Sequence, residues 1–243
     1  PYLLNPIEHG ADIVIHSLTK YISGNGTSLG GAIIDAGNFD WSNGKFPEFT
    51  EPSAGYHGLK YYEVLGASSF IAKVRIEGLR DLGASLSPFN AFQIIQGLET
   101  LAIRIKKHSE NALELAKWLQ KQSEVAWVNY PGLTSSKYYD LAQHYLPEGQ
   151  SGVVTFGLKS GFEGAKKVAD GTKLFALVAN IGDTKSLIIH PASTTHQQLS
   201  EAQQISTGVS KDLIRLSVGL ENVEDLKADL KAVFEKISVS NKV

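Results

Sequence analysis

A long helical pattern in the middle of the sequence is the feature that most constrains the fold. From Pro88 to about Gln122, apolar residues recur at near-helical spacing, and proline is favoured in a first helical turn. Unbroken, such a helix would span roughly 50 Å at 1.5 Å per residue, which is long for one domain. Gly97 could allow a bend. We predict that residues 86–121 form a long helix that connects two domains.

The sequence before this helix has the pattern of an α/β layer. Apolar runs closed by polar residues or glycine predict strands at 11–19 and 29–37. The stretch 38–58 is rich in Gly, Pro, Asn and Ser, so it is predicted to be a long loop, of a length typical of loops that line a site. A helical pattern resumes over 59–83. Residues 1–85 are assigned to this first domain.

The sequence after the long helix predicts a small α+β domain over 122–243. The predicted strands are 125–133, 152–160, 186–193 and 212–221, and the predicted helices are 163–175 and 221–237. In the final helix the apolar residues form one stripe, and Asn222 is its predicted N-cap.

Composition excludes several classes of function. The chain has 243 residues, 42% of them hydrophobic, and a net charge of -2, which gives no reason to expect nucleic acid or an anionic membrane as a partner. It contains no cysteine, so disulfides and thiolate metal sites are excluded. No apolar run approaches the ~20 residues of a membrane span. Because the chain begins at Pro1 and contains no Met, we expect a processed product or a fragment.

The segment HSLTKYISGNGTSLGG (16–31) sets one lysine, Lys20, just before a run of glycines. It is not a P-loop, because there the lysine follows the glycines. Strand alternation places Ser17 and Thr19 on one side, where two hydroxyls and nearby N–H groups can hold a phosphate. An amine beside a carbonyl forms a Schiff base, and pyridoxal phosphate combines an aldehyde with a phosphate. From the spacing alone, a solvated lysine at a strand end is the commoner explanation.

Three segments together resemble the Cys/Met-metabolism family of pyridoxal-phosphate enzymes. HSLTKYISGNGTSLGG is similar to its cofactor-lysine motif, S-x-T-K-Y-x-x-G-H. VANIGDTKSLIIHPASTTHQQLS (178–200) resembles its substrate-carboxylate loop, and IRLSVGLENVEDLKADL (214–230) its C-terminal fingerprint. With SPFNAFQIIQGLETLAIRIKKH between them, the resemblance covers residues 6–235. The ANIGDTKSL segment is most similar to the O-acetylhomoserine sulfhydrylase branch.

The resemblance implies an α/β fold, that of the fold type I (aspartate aminotransferase-like) pyridoxal-phosphate transferases, with part of the large domain and the small C-terminal domain. It implies that Lys20 carries pyridoxal 5′-phosphate as a Schiff base and that Ser17 and Thr19 bind its phosphate. Arg215 would bind the substrate's α-carboxylate, with help from Asn180. No metal ion is implied.

The strand pattern supports the role of Arg215. Alternation in DLIRLSVGLE places Ile214, Leu216 and Val218 on one face, and Arg215 on the other with the small Ser217. A guanidinium on a rigid strand suits bidentate binding of a carboxylate. From the strand alone, a surface ion pair is the commoner explanation.

Other candidates carry weaker signals. His57 lies in the long loop, where it could contact substrate or pack the loop. His190 and His196 lack the i,i+4 helical spacing of a zinc site. The run IRIKKH (103–108) is predicted to be a solvated helix face rather than a phosphate-binding patch.

The implied activity is the replacement of the acetate group of O-acetylhomoserine by sulfide or a thiol, in a cytoplasmic dimer of dimers. Cystathionine γ-synthase, cystathionine γ-lyase and methionine γ-lyase use the same residues and remain alternatives. Asn25 stands where the family has histidine. Because its side chain can still donate to a neighbouring backbone group, we expect this difference to tune the activity rather than abolish it.

The family's aspartate at the pyridine nitrogen is not among these residues. Its ring-stacking tyrosine, and the tyrosine and arginine lent by a neighbouring subunit, are absent as well. We therefore expect the chain alone not to be a competent enzyme. A non-catalytic fragment or assembly domain is the alternative from a different class.

Overall fold

The computed structural model describes residues 2–240, and the backbone alone at 238–240. These residues divide into two compact units. The first comprises Asn5–Leu18 and Leu29–Ile94, and the second comprises Tyr2–Leu4, Thr19–Ser28 and the chain from Ile95 onward. The segment that carries Lys20 thus belongs to the second unit, which contains most of the chain. The domain borders at 85 and 122 stay a prediction.

The first unit contains a two-stranded antiparallel sheet and a series of short helical segments. Strands β1 (Ile13–Ser17) and β2 (Gly31–Asp35) pair so that Ser17 lies opposite Gly31. Both predicted strands are therefore confirmed, with shorter bounds. The helices are α1 (Pro47–Thr50), α2 (Tyr61–Leu65) and α3 (Ser69–Lys73), followed by a π-helical segment, Val74–Asp81.

The helix predicted over 59–83 is interrupted at Gly66. This residue has φ +53°, a backbone conformation that residues other than glycine rarely adopt, and α2 ends there. A short 3₁₀ turn, Gly66–Ser68, separates α2 from α3.

Aromatic side chains from the predicted loop 38–58 form the core of the first unit. Trp41 and Phe49 are buried together with Tyr61, and Trp41 stacks on Phe70 with ring centroids 5.2 Å apart. Burial of each such ring contributes on the order of 2–3 kcal/mol. This packing gives the stretch 38–58 a structural role in the first unit.

The second unit is built on a five-stranded sheet with strand order β3-β4-β7-β6-β5. Neighbouring strands are antiparallel except for the parallel pair β5 and β6. The four strands predicted in this unit are confirmed, whereas β5, only two residues long, had no sequence signal. The strands are β3 (Val125–Asn129), β4 (Val153–Leu158), β5 (Ala176–Leu177), β6 (Leu187–Ile189) and β7 (Leu213–Ser217).

The predicted long helix is interrupted at Thr100, which has φ −105° and ψ 4°. It consists of α4 (Pro88–Glu99) and α5 (Leu101–Leu119). The interruption lies three residues beyond Gly97, where the sequence allows a bend. Later helices are α6 (Tyr139–Tyr145), α7 (Gly161–Gly171), α8 (Glu201–Ser206) and α9 (Val223–Ser240).

Helices α5, α7 and α9 pack on the five-stranded sheet around one apolar core. Leu115 of α5, Phe156 of β4, and Ile214 and Leu216 of β7 are fully buried in it. The predicted stripe of the final helix is confirmed, since Leu226 lies in the same core. The core holds β7 rigidly in the centre of the sheet.

The N-terminus of α9 has the predicted cap. The Asn222 side-chain oxygen accepts from the Glu224 N–H at 2.9 Å. Across residues 2–240, the helices are too short or too polar to span a bilayer.

Candidate active site

Lys20 lies in an irregular turn that follows β1. The turn spans Leu18–Ile22, and within it the backbone of Lys20 leaves the helical region, with φ −87° and ψ −131°. The side chain is half-buried, and its Nζ donates a hydrogen bond to Oδ1 of Asn180. Within the described part of the chain, Lys20 has no carboxylate partner. Its amine is therefore held by a neutral amide rather than by an ion pair.

Arg215 projects from the middle of β7, opposite Thr155 of β4 and Ile189 of β6. Its side chain is half-buried, and Nη2 donates to the backbone oxygen of Asn180 at 3.2 Å. Burial lowers the pKa of Arg215, but a guanidinium remains charged at neutral pH. The same asparagine thus contacts the lysine through its side chain and the arginine through its backbone. The structure brings together three of the residues that the sequence singles out.

The loop that carries Asn180 is fixed from one side by β7. The N–H of Gly182 donates to Oγ of Ser217, which is buried, at 2.9 Å. Gly182 has φ +75°, and a Cβ there would lie 2.7 Å from the backbone nitrogen of Tyr21. Only glycine allows the loop to approach the residue after Lys20 so closely.

The same loop is joined to the glycine run after Lys20. Thr184 donates its backbone N–H to the oxygen of Gly24 at 2.8 Å. A Cβ at Gly26 would lie 2.5 Å from a carboxylate oxygen of Asp183. The glycines of 16–31 therefore let this segment pack on the loop that carries Asn180.

Buried polar groups join the end of this loop to the end of β7. The backbone N–H and Oγ of Ser186 donate to the Glu221 carboxylate at 2.7 and 2.8 Å. The Asn111 amide donates to the backbone oxygens of Gly219 and Glu221 at 3.0 and 2.9 Å. Sequence reasoning missed this network, since its members lie in three separate segments.

The prediction of a solvated helix face at 103–108 is wrong for three of its residues, the apolar Ile105 and the two polar residues Arg104 and His108. Arg104 is 7% exposed and His108 is fully buried, whereas Lys106 and Lys107 are exposed. The three buried residues lie on the face of α5 that also carries Leu101, which the i, i+3 and i+4 spacing could have revealed.

The buried ring of His108 packs against the residue that follows Lys20. Nδ1 of His108 lies 2.6 Å from the backbone oxygen of Val218, and the ring meets that of Tyr21 edge-on at 5.2 Å. Burial lowers the pKa of His108, since it disfavours the charged ring. The neutral ring therefore packs against Tyr21 of the turn that carries Lys20.

The remaining predicted residues have varied surroundings. Ser17 is exposed at the end of β1, and Thr19 is half-buried in the second unit. The Asn25 side chain donates to the backbone oxygen of Ser23 at 3.2 Å, while its effect on activity stays a prediction. His57 is exposed in the first unit.

The histidines of the later loop have structural partners. His190 is buried, and its ring nitrogens lie 2.8 Å from Ser193 Oγ and 2.8 Å from the Lys211 backbone oxygen. Over the described residues, His, Asp and Glu side chains form no cluster that could hold a metal ion.

Comparison with known proteins identifies a matching family. A family profile described as Cys/Met metabolism PLP-dependent enzyme matches residues 1–235. The O-acetyl-L-homoserine sulfhydrylase of Leptospira meyeri is 56% identical over 246 residues, covering 98% of this chain and 56% of its own length. The chain therefore spans about half the length of the curated relatives it matches.

Solved structures show the same similarity. A crystal structure described as an O-acetylhomoserine (thiol)-lyase of Campylobacter jejuni, in which one lysine carries a pyridoxyl-5′-monophosphate group, matches with a TM-score of 0.92 and 48% identity. The match covers 97% of this chain and 56% of that one. Cystathionine γ-synthase of Xanthomonas oryzae matches with a TM-score of 0.77 and 32% identity, covering 98% and 54% of the two chains. These matches confirm the predicted fold class.

Proposed function

Because the chain belongs to the Cys/Met-metabolism family of pyridoxal-phosphate-dependent enzymes, we propose that it carries the cofactor lysine and the substrate-binding arginine of an O-acetylhomoserine sulfhydrylase. The reaction replaces the acetate group of O-acetylhomoserine by sulfide or a thiol, which gives homocysteine or methionine and acetate. The observation that carries this proposal is the position of Asn180 between the Lys20 amine and the Arg215 guanidinium.

The chemistry of the residues around Lys20 fits pyridoxal phosphate. A half-buried amine held by a neutral amide can exchange that hydrogen bond for a bond to an aldehyde, whereas an ion-paired ammonium is a poor nucleophile. Ser17 and Thr19 supply two hydroxyls within three residues of the amine, and hydroxyls bind phosphate well. We assign them to the phosphate. When bound, the cofactor supplies the aldehyde that holds amino groups and a ring that accepts electrons from the substrate.

Arg215 binds and orients the amino-acid substrate. Its guanidinium offers five N–H donors, of which the structure assigns one to the Asn180 backbone oxygen. The others can form a bidentate pair with the substrate's α-carboxylate, and partial burial strengthens such a pair. Because β7 lies in the centre of the sheet, the carboxylate is held in one place.

Lys20 moves the proton at Cα of the bound substrate. As a neutral amine, Nζ accepts this proton, and Asn180 Oδ1 orients the amine through its hydrogen bond. The overall replacement breaks the Cγ–O bond, with acetate leaving with the bonding electrons, and forms a Cγ–S bond to sulfide or a thiol, and the protons that leave Cα and Cβ are returned to these carbons in the product. Holding an acid–base group and its substrate in the correct relative geometry can raise the rate by several orders of magnitude.

We also propose a cytoplasmic dimer of dimers as the working form. The family resemblance supports this proposal, because proteins of the family pair their subunits around shared sites. The native mass of the purified protein tests this assembly.

Acetate release from O-acetylhomoserine tests the proposed reaction. In a polypeptide that also carries the family's aspartate and tyrosines, we expect acetate release and homocysteine formation at equal rates when sulfide is present, and little acetate release without it. Release of acetate with 2-oxobutanoate and ammonia in the absence of sulfide would instead identify a γ-lyase. Formation of cystathionine with cysteine as the preferred nucleophile would identify a cystathionine γ-synthase.

A further inference from the structure

Arg104 of α5 is a buried cation whose hydrogen bonds, within the described residues, all go to neutral oxygens. Nη1 donates to the backbone oxygen of Tyr21 at 2.7 Å, and Nη2 donates to those of Ile22 and Gly97 at 3.1 and 2.6 Å. Nε donates to Oγ1 of Thr100 at 3.0 Å. In the part of the chain that the structure describes, Arg104 forms no ion pair with a carboxylate. Burying a charge costs free energy unless polar partners compensate it, so the guanidinium depends on all of these hydrogen bonds together.

Two of these acceptors directly follow Lys20 in the chain. The turn there has irregular backbone angles, and the Gly24 N–H donates to the Lys20 oxygen at 2.8 Å. The carbonyls of Tyr21 and Ile22 point at the guanidinium instead. The planar fork of an arginine can hold both carbonyls at a fixed separation, which a lysine ammonium cannot do.

The packing around Arg104 requires glycine on both sides of the contact. A Cβ at Gly24 would lie 2.3 Å from Nη1 of Arg104. A Cβ at Gly97 would lie 2.2 Å from the backbone oxygen of Ser23. The lysine turn and the end of α4 therefore meet backbone to backbone, with the guanidinium between them.

The location also favours a cation. Gly97 lies in the last turn of α4, where the helix dipole is negative, and its carbonyl also accepts from the Thr100 N–H and Oγ1 at 3.3 and 3.2 Å. Arg104 satisfies the Gly97 carbonyl and the two carbonyls after Lys20 at once. One side chain thus links a helix end to the segment that carries the amine.

We propose that Arg104 is a positioning residue for Lys20. By fixing the Tyr21 and Ile22 carbonyls, it holds the lysine turn so that Nζ reaches Asn180. The proposal rests on the proposed function only in taking Lys20 as the reacting amine.

Selective labelling of Lys20 in the purified, cofactor-free protein tests this proposal. The first variant, Arg104→Gln, removes both the planar guanidinium and its charge. The second, Arg104→Lys, removes the guanidinium but keeps the charge. Lys107→Gln, an exposed residue of the same helix, removes one charge without a buried contact. Acetylation of Lys20 by limiting acetic anhydride and hydrogen exchange over Tyr21–Gly24 are both read by mass spectrometry.

We expect Lys20 acetylation to rise about tenfold in Arg104→Gln, the factor that loss of one charged hydrogen bond produces. Exchange over Tyr21–Gly24 should rise by a similar factor. Arg104→Lys should show a smaller rise, and Lys107→Gln should match the wild type. If Arg104→Gln does not fold, Thr100→Val keeps the test available: it removes the acceptor of Nε and the hydroxyl that donates to the Gly97 oxygen, leaves the guanidinium in place, and should raise acetylation in the same direction.

A purely structural role predicts a different result. In that case Arg104→Lys or Thr100→Val lowers the melting temperature while Lys20 acetylation and local exchange stay at the wild-type level, and the proposal is overturned. In the holoenzyme we expect kcat to fall about tenfold with KM within about twofold, since Arg215 is untouched. If the cofactor proves to be attached elsewhere, the proposed function fails, while the labelling result still decides whether Arg104 positions Lys20.

Discussion

The amine of Lys20 donates a hydrogen bond to the side-chain oxygen of Asn180, although 160 residues separate the two in the chain. The backbone oxygen of the same asparagine accepts from Nη2 of Arg215 at 3.2 Å. One residue thereby sets the position of a nucleophilic amine relative to a half-buried cation. The predictions below follow from this geometry and from the packing that supports it.

Arg215→Lys should weaken substrate binding. A lysine keeps the charge but loses the fork, so at least one charge-assisted hydrogen bond to the α-carboxylate is lost, worth about 1.5–3 kcal/mol. We expect KM for O-acetylhomoserine to rise roughly 10- to 100-fold, with the cofactor's absorbance unchanged. Steady-state kinetics measures the effect. Arg80→Lys, the same change at an exposed position, is the control. An unchanged KM in Arg215→Lys would exclude the assigned role.

Ser217→Ala should loosen the loop that carries Asn180. The buried N–H of Gly182 loses its acceptor at 2.9 Å, and an unsatisfied buried donor costs about 1–3 kcal/mol. We expect the free energy of unfolding, measured in urea, to fall by this amount. Hydrogen exchange at Gly182 should become faster. Ser206→Ala, at an exposed position in α8, should do neither. Unaltered exchange at Gly182 would show that Ser217 does not fix the loop.

Gly97→Ala should destabilise the second unit. The new Cβ would lie 2.2 Å from the Ser23 oxygen and 2.7 Å from the Ile22 oxygen, so the backbone has to shift. Overpacking of this kind costs about 1–3 kcal/mol. Gly78→Ala, whose Cβ meets only Val74 Cγ1 at 3.9 Å, should be neutral or stabilising by up to about 1 kcal/mol. Denaturant unfolding of both variants measures the difference, and equal stabilities would contradict the backbone contact.

His108→Gln should reduce the loss of stability in mild acid. Burial places the pKa of His108 below its ordinary value of 6.5. As the pH falls below 6.5, the unfolded chain takes up a proton that the folded chain excludes, so the folded state loses stability by up to about 1.4 kcal/mol per pH unit. Above 6.5 both states are neutral and this loss is absent.

Urea unfolding at several pH values between 7 and 5 measures this effect. The wild type should lose more stability than His108→Gln over that range, by no more than about 1.4 kcal/mol for each pH unit below 6.5. His144→Gln, which removes an exposed histidine, should keep the wild-type dependence. Parallel curves for His108→Gln and the wild type would show that His108 is not buried neutral.

Local patterns predicted the second unit well because its strands and helices have clear periodicity. Ile214 and Leu216 of β7 are fully buried and Arg215 is half-buried, as the alternation predicts. Gly97 indicates that a bend is possible, but no local pattern places the interruption at Thr100. It lies beside Gly97, where a distant backbone approaches, and such tertiary contacts are not encoded in local periodicity.

The candidate site was predictable only in part. The three segments that resemble the family contain Lys20, Asn180 and Arg215, but their contacts join positions far apart in the chain. Arg104 was assigned to a solvated face because charged residues are usually exposed, whereas here its guanidinium satisfies backbone carbonyls. The roles of Ser17 and Thr19 at the phosphate stay predictions.

Borohydride reduction of the purified protein with pyridoxal phosphate tests the assignment of Lys20 most directly. Reduction fixes the cofactor to the amine that holds it, and peptide mass spectrometry locates the modified lysine. We predict a pyridoxyl phosphate group on the peptide that contains Lys20, and neither this group nor visible absorbance in Lys20→Ala with its fold intact. Attachment of the reduced cofactor to another lysine would contradict the assignment. So would a visible chromophore that borohydride attaches to no residue at all.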